Sequence, residues 1–349
     1  MIALLIAVGV SFSISVFVTP LIIRLVKSKG AGQFIRDDGP IVHPHILKAG
    51  TPTMGGIAIV LAVLLGYYFS HFRLGFVFGR SALLVLMVFV AMAAVGLIDD
   101  YLSIIKKRNL GLRKRGKIIG QVSIALAFSF LATNWVHVST EVSFARPFTT
   151  GFPKWLYIII CVVIVIGAAN AVNITDGLDG LASGSATLVF SAYTLIMFWQ
   201  FRHAELYGNA IPGFPQNALD LSVLAASVVG ASARFLWWNA APAQIFMGDV
   251  GSLAIGGALA AFAIVTKTEL LLIFLGGIYV VETLSVIAQI ISYRGFKKRI
   301  LKMAPIHHHF EVLGWPETTV IVRFWLFSGA CVAIGLGLFY ADFVSILNG

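Results

Sequence analysis

The chain has 349 residues, of which 59% are hydrophobic and only 11% charged, with 25 Lys and Arg against 15 Asp and Glu, and its mean hydropathy is +0.93. Soluble domains carry roughly 25% charged residues, so the composition excludes a water-soluble globule. It also excludes a basic nucleic-acid-binding domain as the use of the +10 net charge. Both cysteines, Cys161 and Cys331, lie inside apolar runs, which leaves no disulfide framework and no thiolate metal site.

A membrane span needs about 20 apolar residues to cross roughly 30 Å of hydrocarbon. Apolar runs between polar breaks predict ten spans, near 2–25, 54–69, 81–98, 118–133, 155–172, 181–201, 217–237, 251–266, 270–292 and 319–343. The first has no basic stretch before it and no small-residue cleavage site after it, so it reads as a retained span rather than a signal peptide. Too little chain remains for a large extramembrane domain. Residues 1–349 are therefore expected to form one all-α polytopic membrane domain, with its chemistry on loops and span ends.

Assigning the breaks alternately to two sides separates the cations. One side holds sixteen Lys and Arg, in 26–53, 99–117 and 294–318, while Arg73, Arg80, Arg146, Lys154, Arg202 and Lys267 fall on the other. The positive-inside rule makes the richer side cytoplasmic and both termini external. The carboxylates Asp37, Asp38, Asp99, Asp100, Asp176, Asp179, Asp249, Glu311 and Glu317 gather on that same face. Lys106, Lys107, Arg108, Lys114 and Arg115 read as topology and lipid-headgroup charges.

Four clusters carry chemistry. Asp99 and Asp100 close the third span; neighbours on a helix point about 100° apart, so two roles are implied, and acids at a helix C-terminus oppose its dipole. Asn170, Asn173, Asp176 and Asp179 follow the fifth span with no basic residue among them, and Gly177 and Gly180 predict a broken loop that a ligand can approach closely. Asp249, in Phe246-Met247-Gly248-Asp249, precedes the eighth span, where a helix N-terminus favours an acid even without a function. His307, His308 and His309 follow Pro305 and cannot share one helical face, so they predict an irregular loop. That loop suits a phosphate-binding patch better than a soft transition-metal site. Acids without cysteine ligands suggest Mg²⁺, a hard ion held by one or two carboxylates and substrate phosphates, and Lys48 and Lys117 offer point charges to a pyrophosphate. Glu282, inside the ninth span, reads either as a groove-lining acid or as a partner for another span.

Five strings in order carry a resemblance: Gly50-Thr51-Pro52-Thr53-Met54-Gly55-Gly56, Ile98-Asp99-Asp100, Asn170-Ala171-Val172-Asn173-Ile174-Thr175-Asp176-Gly177-Leu178-Asp179-Gly180, Phe246-Met247-Gly248-Asp249 and Pro305-Ile306-His307-His308-His309-Phe310-Glu311, the last continuing to Trp315-Pro316-Glu317. Nearly the whole chain resembles the polyprenyl-phosphate N-acetylhexosamine-1-phosphate transferases. The 307–317 stretch is most similar to the branch that handles UDP-MurNAc-pentapeptide. The resemblance implies transfer of phospho-MurNAc-pentapeptide from that nucleotide to undecaprenyl phosphate, giving lipid I and UMP, with Mg²⁺. It also implies a homodimer among the lipids of the bacterial cytoplasmic (inner) membrane, with the active site on the cytoplasmic face.

Carried over position by position, the resemblance makes Asp249 the metal ligand and Asp99 and Asp100 catalytic acids. It makes Lys48, Lys117, Asn173, Asp176, Gly177, Leu178, Asp179, Asn239, Phe246 and Gln289 substrate-pocket residues, with Phe246 against uracil, and the three histidines join them as phosphate contacts. A sister transferase using UDP-GlcNAc is the nearer alternative. A transporter is the farther one, and it would place its charges at mid-bilayer rather than at span ends.

Overall fold

The computed structural model describes residues 1–28, 48, 50–72, 78–106, 111–145, 151–207 and 216–347; Asp37, Asp38, Arg73, Lys107, Arg108 and Arg146 lie outside them. The described residues form thirteen helices and no β-strand: α1 (Ile2–Ser28), α2 (Gly56–Ser70), α3 (Arg80–Ile105), α4 (Lys114–Asn134), α5 (Lys154–Thr175), α6 (Leu181–Arg202), α7 (Ala204–Tyr207), α8 (Gln216–Asn239), α9 (Gly248–Val265), α10 (Leu271–Leu275), α11 (Gly277–Phe296), α12 (Ile306–Val312) and α13 (Glu317–Leu347). Eight of these are long and apolar enough to cross a membrane. The chain is an integral, polytopic, all-helical membrane protein. Of the two other predicted spans, α2 is apolar but only 15 residues long, and the run at 270–292 is interrupted at Gly276, which separates α10 from α11.

Helix packing follows the membrane rule that small residues let backbones approach, because lipid leaves little hydrophobic drive between helices. On α1 the buried positions Ala3, Ala7, Ser11, Ser15 and Thr19 recur every four residues, and this stripe faces α2 and α8. At the centre stands α9, built largely of Gly and Ala and buried almost all round, against α3, α5 and α2. At Gly96 of α3 a side-chain carbon would lie 2.2 Å from the Asp249 carbonyl oxygen. Only glycine permits α3 to cross the start of α9 that closely.

The far end of the bundle is pinned by buried polar groups that hydropathy patterning does not reveal. Lys267, fully buried, binds Glu269 at 2.8 Å, the Tyr157 hydroxyl at 3.0 Å and the Ser139 carbonyl at 3.2 Å. Lying between α9 and α10, it clamps the segment joining α4 to α5. A second cluster joins α2, α3 and α8, where Asp220 accepts from the Tyr67 hydroxyl at 2.8 Å and lies 2.9 Å from His71 Nε2.

Candidate active site

At the opposite end of the bundle, four segments distant in sequence meet at Asp249. The α3–α9 crossing brings Asp100 to the first turn of α9, where its carboxylate accepts the backbone N–H groups of Asp249 and Val250 at 3.3 and 3.2 Å. A helix N-terminus has unsatisfied donors, and Asp100 supplies their acceptor from a neighbouring helix. Gly248, with φ +72°, makes the turn that admits it; a side chain there would meet Asp100 Oδ2 and Thr53. Asp99, on another face of the same helix, accepts the Leu112 N–H at 2.9 Å.

The Asp249 carboxylate itself takes the Lys117 ammonium on one oxygen and the Asn173 amide at 2.6 Å on the other. Asn173 also donates to the Ser252 hydroxyl at 2.9 Å. Carboxylate oxygens of Asp99, Asp100 and Asp249 lie within 4.8 Å of one another, and among the described residues this is the one such group of three or more acidic, His or Cys side chains. Three hard oxygen donors so close, with a single ammonium drawn onto them, suit a divalent cation of the Mg²⁺ kind. The imidazoles of His307, His308 and His309 do not converge in this way.

α5 continues through Asn170 and Asn173 to Thr175, and the break expected from Gly177 and Gly180 is the turn at 176–180, ending on Gly180 with φ +77°. Asn170 and Asn173 therefore project from a helix: Asn170 donates to Gln121 at 2.9 Å and to its own helix, away from Asp249. In the turn, burial first and then the Asp249, Asp100 and Asp179 carboxylates push the Asp176 carboxyl well above its ordinary range. Leu178 is buried and Gly177 exposed. Asp179 accepts the Ala243 N–H at 2.9 Å and the Lys48 ammonium at 2.7 Å.

Lys48 also reaches Glu317 at 2.5 Å, and Glu317 accepts the Asp179 N–H at 3.2 Å. Glu317 was not among the predicted site residues, although it ends the Trp315-Pro316-Glu317 string; at the first turn of α13 it passes as an ordinary N-terminal acid.

Phe246 is partly buried, with its backbone bonded to Pro52 and Gly55 at 2.8 and 2.9 Å, so the 50–55 and 243–247 segments support one another. Asn239 is buried, accepting from Ser183 at 2.8 Å and donating to the Ile245 carbonyl at 3.0 Å, and Gln289 bonds three backbone groups of Ile300 and Leu301. Both amides hold neighbouring segments in place. The predicted histidine loop is instead the two-turn helix α12, with Pro305 as its N-cap, a position where a missing N–H costs nothing. Its histidines diverge, as their spacing requires: His307 is fully buried, His308 contacts Glu311 at 2.6 Å, and His309 accepts the Lys302 N–H at 3.0 Å.

Residues 82–267 match glycosyl transferase family 4, and residues 48–60 match a signature of the phospho-N-acetylmuramoyl-pentapeptide-transferases. A protein of that name from Frankia alni is 49% identical over 99% of each chain. Others from Streptomyces avermitilis and Mycobacterium bovis are 47% and 44% identical over 94% and 99% of each chain. The chain belongs to the phospho-N-acetylmuramoyl-pentapeptide-transferase family. As a transferase of this family it has one end of the bundle available for phosphosugar chemistry, and the family signature at 48–60 contains both Lys48 and the segment that carries Gly55 against Phe246.

Proposed function

We propose that this transferase moves phospho-MurNAc-pentapeptide from UDP-MurNAc-pentapeptide to undecaprenyl phosphate, releasing UMP and forming lipid I, in the bacterial cytoplasmic membrane. The observation that carries this reading is the encirclement of Asp249: two further carboxylates, one ammonium and one amide converge on it at the end of an apolar bundle. Phosphoryl transfer asks for this arrangement, since positioning and charge neutralisation supply most of its catalysis.

Asp249, with Asp99 and Asp100 beside it, would hold Mg²⁺, which when bound neutralises the donor pyrophosphate. Lys117 and Lys48 add positive charge from the two sides, and Phe246 offers an aromatic face for uracil. An oxygen of the acceptor phosphate forms the new bond to the sugar-bearing phosphorus, and the bond from that phosphorus to the bridging oxygen breaks, leaving with UMP. Asp99 takes the acceptor's remaining proton. Asp100, already engaged with the α9 backbone, orients rather than attacks.

In this reading ten segments span the membrane, the short helix α2 and the interrupted α10–α11 joining the eight that are long and apolar enough on their own. Both termini are external, the site faces the cytoplasm, the chain is one domain and works as a homodimer. The alternative of direct use of UDP-GlcNAc is tested by incubating purified protein with each UDP-sugar and a polyprenyl phosphate and measuring UMP. Release confined to UDP-MurNAc-pentapeptide is expected; release only with another donor overturns the substrate, and none with any donor overturns the reaction. Exchange of labelled UMP into the donor in protein stripped of polyprenyl phosphate would instead require a phosphosugar-enzyme intermediate.

A further inference from the structure

Glu282 lies in the second turn of α11 and is fully buried, facing His307 of α12, with Oε2 to Nδ1 at 3.0 Å; both side chains are sealed from solvent. The two meet at contact distance without hydrogen-bond geometry, and no other partner satisfies either side chain. A buried acid with a single neighbour is a poor stabiliser, and an apolar side chain would pack at less cost. Its position gives it a different use. The other edge of the His307 ring stands against Gly177, where a side-chain carbon would lie 2.4 Å from Nε2, so the imidazole is a spacer between α11 and the turn that carries Asp176 and Asp179.

The rest of α11 is organised toward the same end. One face exposes Leu284, Ile287, Ile290 and Ile291. The other carries a polar stripe that grips the returning chain: Ser292 donates to the Lys298 carbonyl at 2.8 Å, Gln289 holds Ile300 and Leu301, and the Ser285 hydroxyl accepts the Ile306 N–H at 3.0 Å. Glu282 is the deepest member of that stripe, and the one that reaches the site.

We propose that Glu282 is a positioning residue of the transferase: acting through His307, it fixes the backbone of the 176–180 turn and so the seat of the donor nucleotide. A carboxylate packed against Nδ1 in a sealed site limits the orientations open to the ring, and the ring in turn abuts Gly177. The test measures initial rates of UMP release while each substrate is varied in turn, for the full chain in detergent. Because the inference rests on the transferase reading, wild-type release of UMP is the control, and its absence would count against that reading rather than against Glu282.

Glu282→Gln should raise the KM for the UDP-sugar about tenfold, because the buried carboxylate that faces the ring is lost, and leave the KM for polyprenyl phosphate unchanged. His307→Asn should do the same, and the double variant should be no worse than either single one. A purely structural role would lower the active fraction, scaling kcat without moving either KM. That outcome overturns the proposal, as do summed effects in the double variant. Where Glu282→Gln fails to fold, Ser285→Ala, which removes the Ile306 anchor and the hydroxyl's bond to the Glu282 carbonyl, takes its place: a smaller rise in the same KM supports the proposal and an unmoved KM refutes it.

Discussion

Replacing Gly96 by alanine adds one methyl group at the point where α3 crosses the first turn of α9. The new carbon would stand 2.2 Å from the Asp249 carbonyl oxygen and 2.5 Å from the Val250 nitrogen, whereas ordinary contact begins at 3.4 Å. Both obstacles are backbone, so no side chain can swing away, and the two helices must separate by about 1 Å. Overpacking of this kind costs roughly 1–3 kcal/mol, which lowers the melting temperature in detergent without preventing folding. The larger consequence falls on activity. Asp100 bonds the Asp249 and Val250 N–H groups at 3.3 and 3.2 Å, and a shift of that size removes both bonds while moving Asp99 away from Asp249. A displacement near 1 Å at a reacting centre costs roughly 10²-fold, so kcat for UMP release should fall about that much while donor KM moves less. Gly167→Ala is the comparison: nothing lies within 4 Å of its added carbon, and exchanging glycine for alanine in a helix should be neutral or stabilising by about 0.5–1 kcal/mol. Wild-type turnover in Gly96→Ala would refute the claim that this crossing sets the carboxylate geometry.

Three further outcomes are expected. Asp249→Asn should fold and lose most of its turnover, with no recovery at high Mg²⁺; near wild-type rates at limiting Mg²⁺ would remove Asp249 from the metal site. Phe246→Ala should raise the KM for the UDP-sugar by one to two orders of magnitude, since stacking on a base is worth about 1–3 kcal/mol, and equal weakening of both substrates would mean instead that the 243–247 segment had collapsed. Lys267→Met should lower thermal stability sharply, because removing one partner of a buried pair costs about 3–5 kcal/mol, and Lys267→Met with Glu269→Leu should recover much of it. A melting temperature unchanged in the single variant would show that the clamp is not stabilising.

Each predicted span contains or overlaps a helix, because hydropathy over twenty residues is a property of the local chain. Where segments end was less legible. Asn170 and Asn173 look like turn residues by composition, yet they continue α5, since each side chain finds a partner on another helix, Gln121 for one and Asp249 for the other. The acids at Asp99, Asp100 and Asp249 were visible as span-end charges, but their meeting depends on Gly96 and Gly248, whose role is a contact between segments about 150 positions apart. Three histidines in a row carry one letter and three environments. That His307 faces Glu282, or that Lys267 faces Glu269 and Tyr157 rather than water, cannot be read from residue type, because burial of a charge is decided by what lies across from it.

The enclosure of α9 bears on how the protein is made. Its Gly- and Ala-rich surface is covered by helices, and four of them, α2, α3, α5 and α6, precede it in the chain. Synthesis therefore inserts into the bilayer a set of helices whose common centre is missing. Asp99, Asp100, Lys117 and Asn173 have all been synthesised before the ribosome reaches the residue they surround. The carboxylate on which they converge arrives on the same segment that fills the gap, so the centre of the bundle and the acidic cluster at its end are completed by one helix.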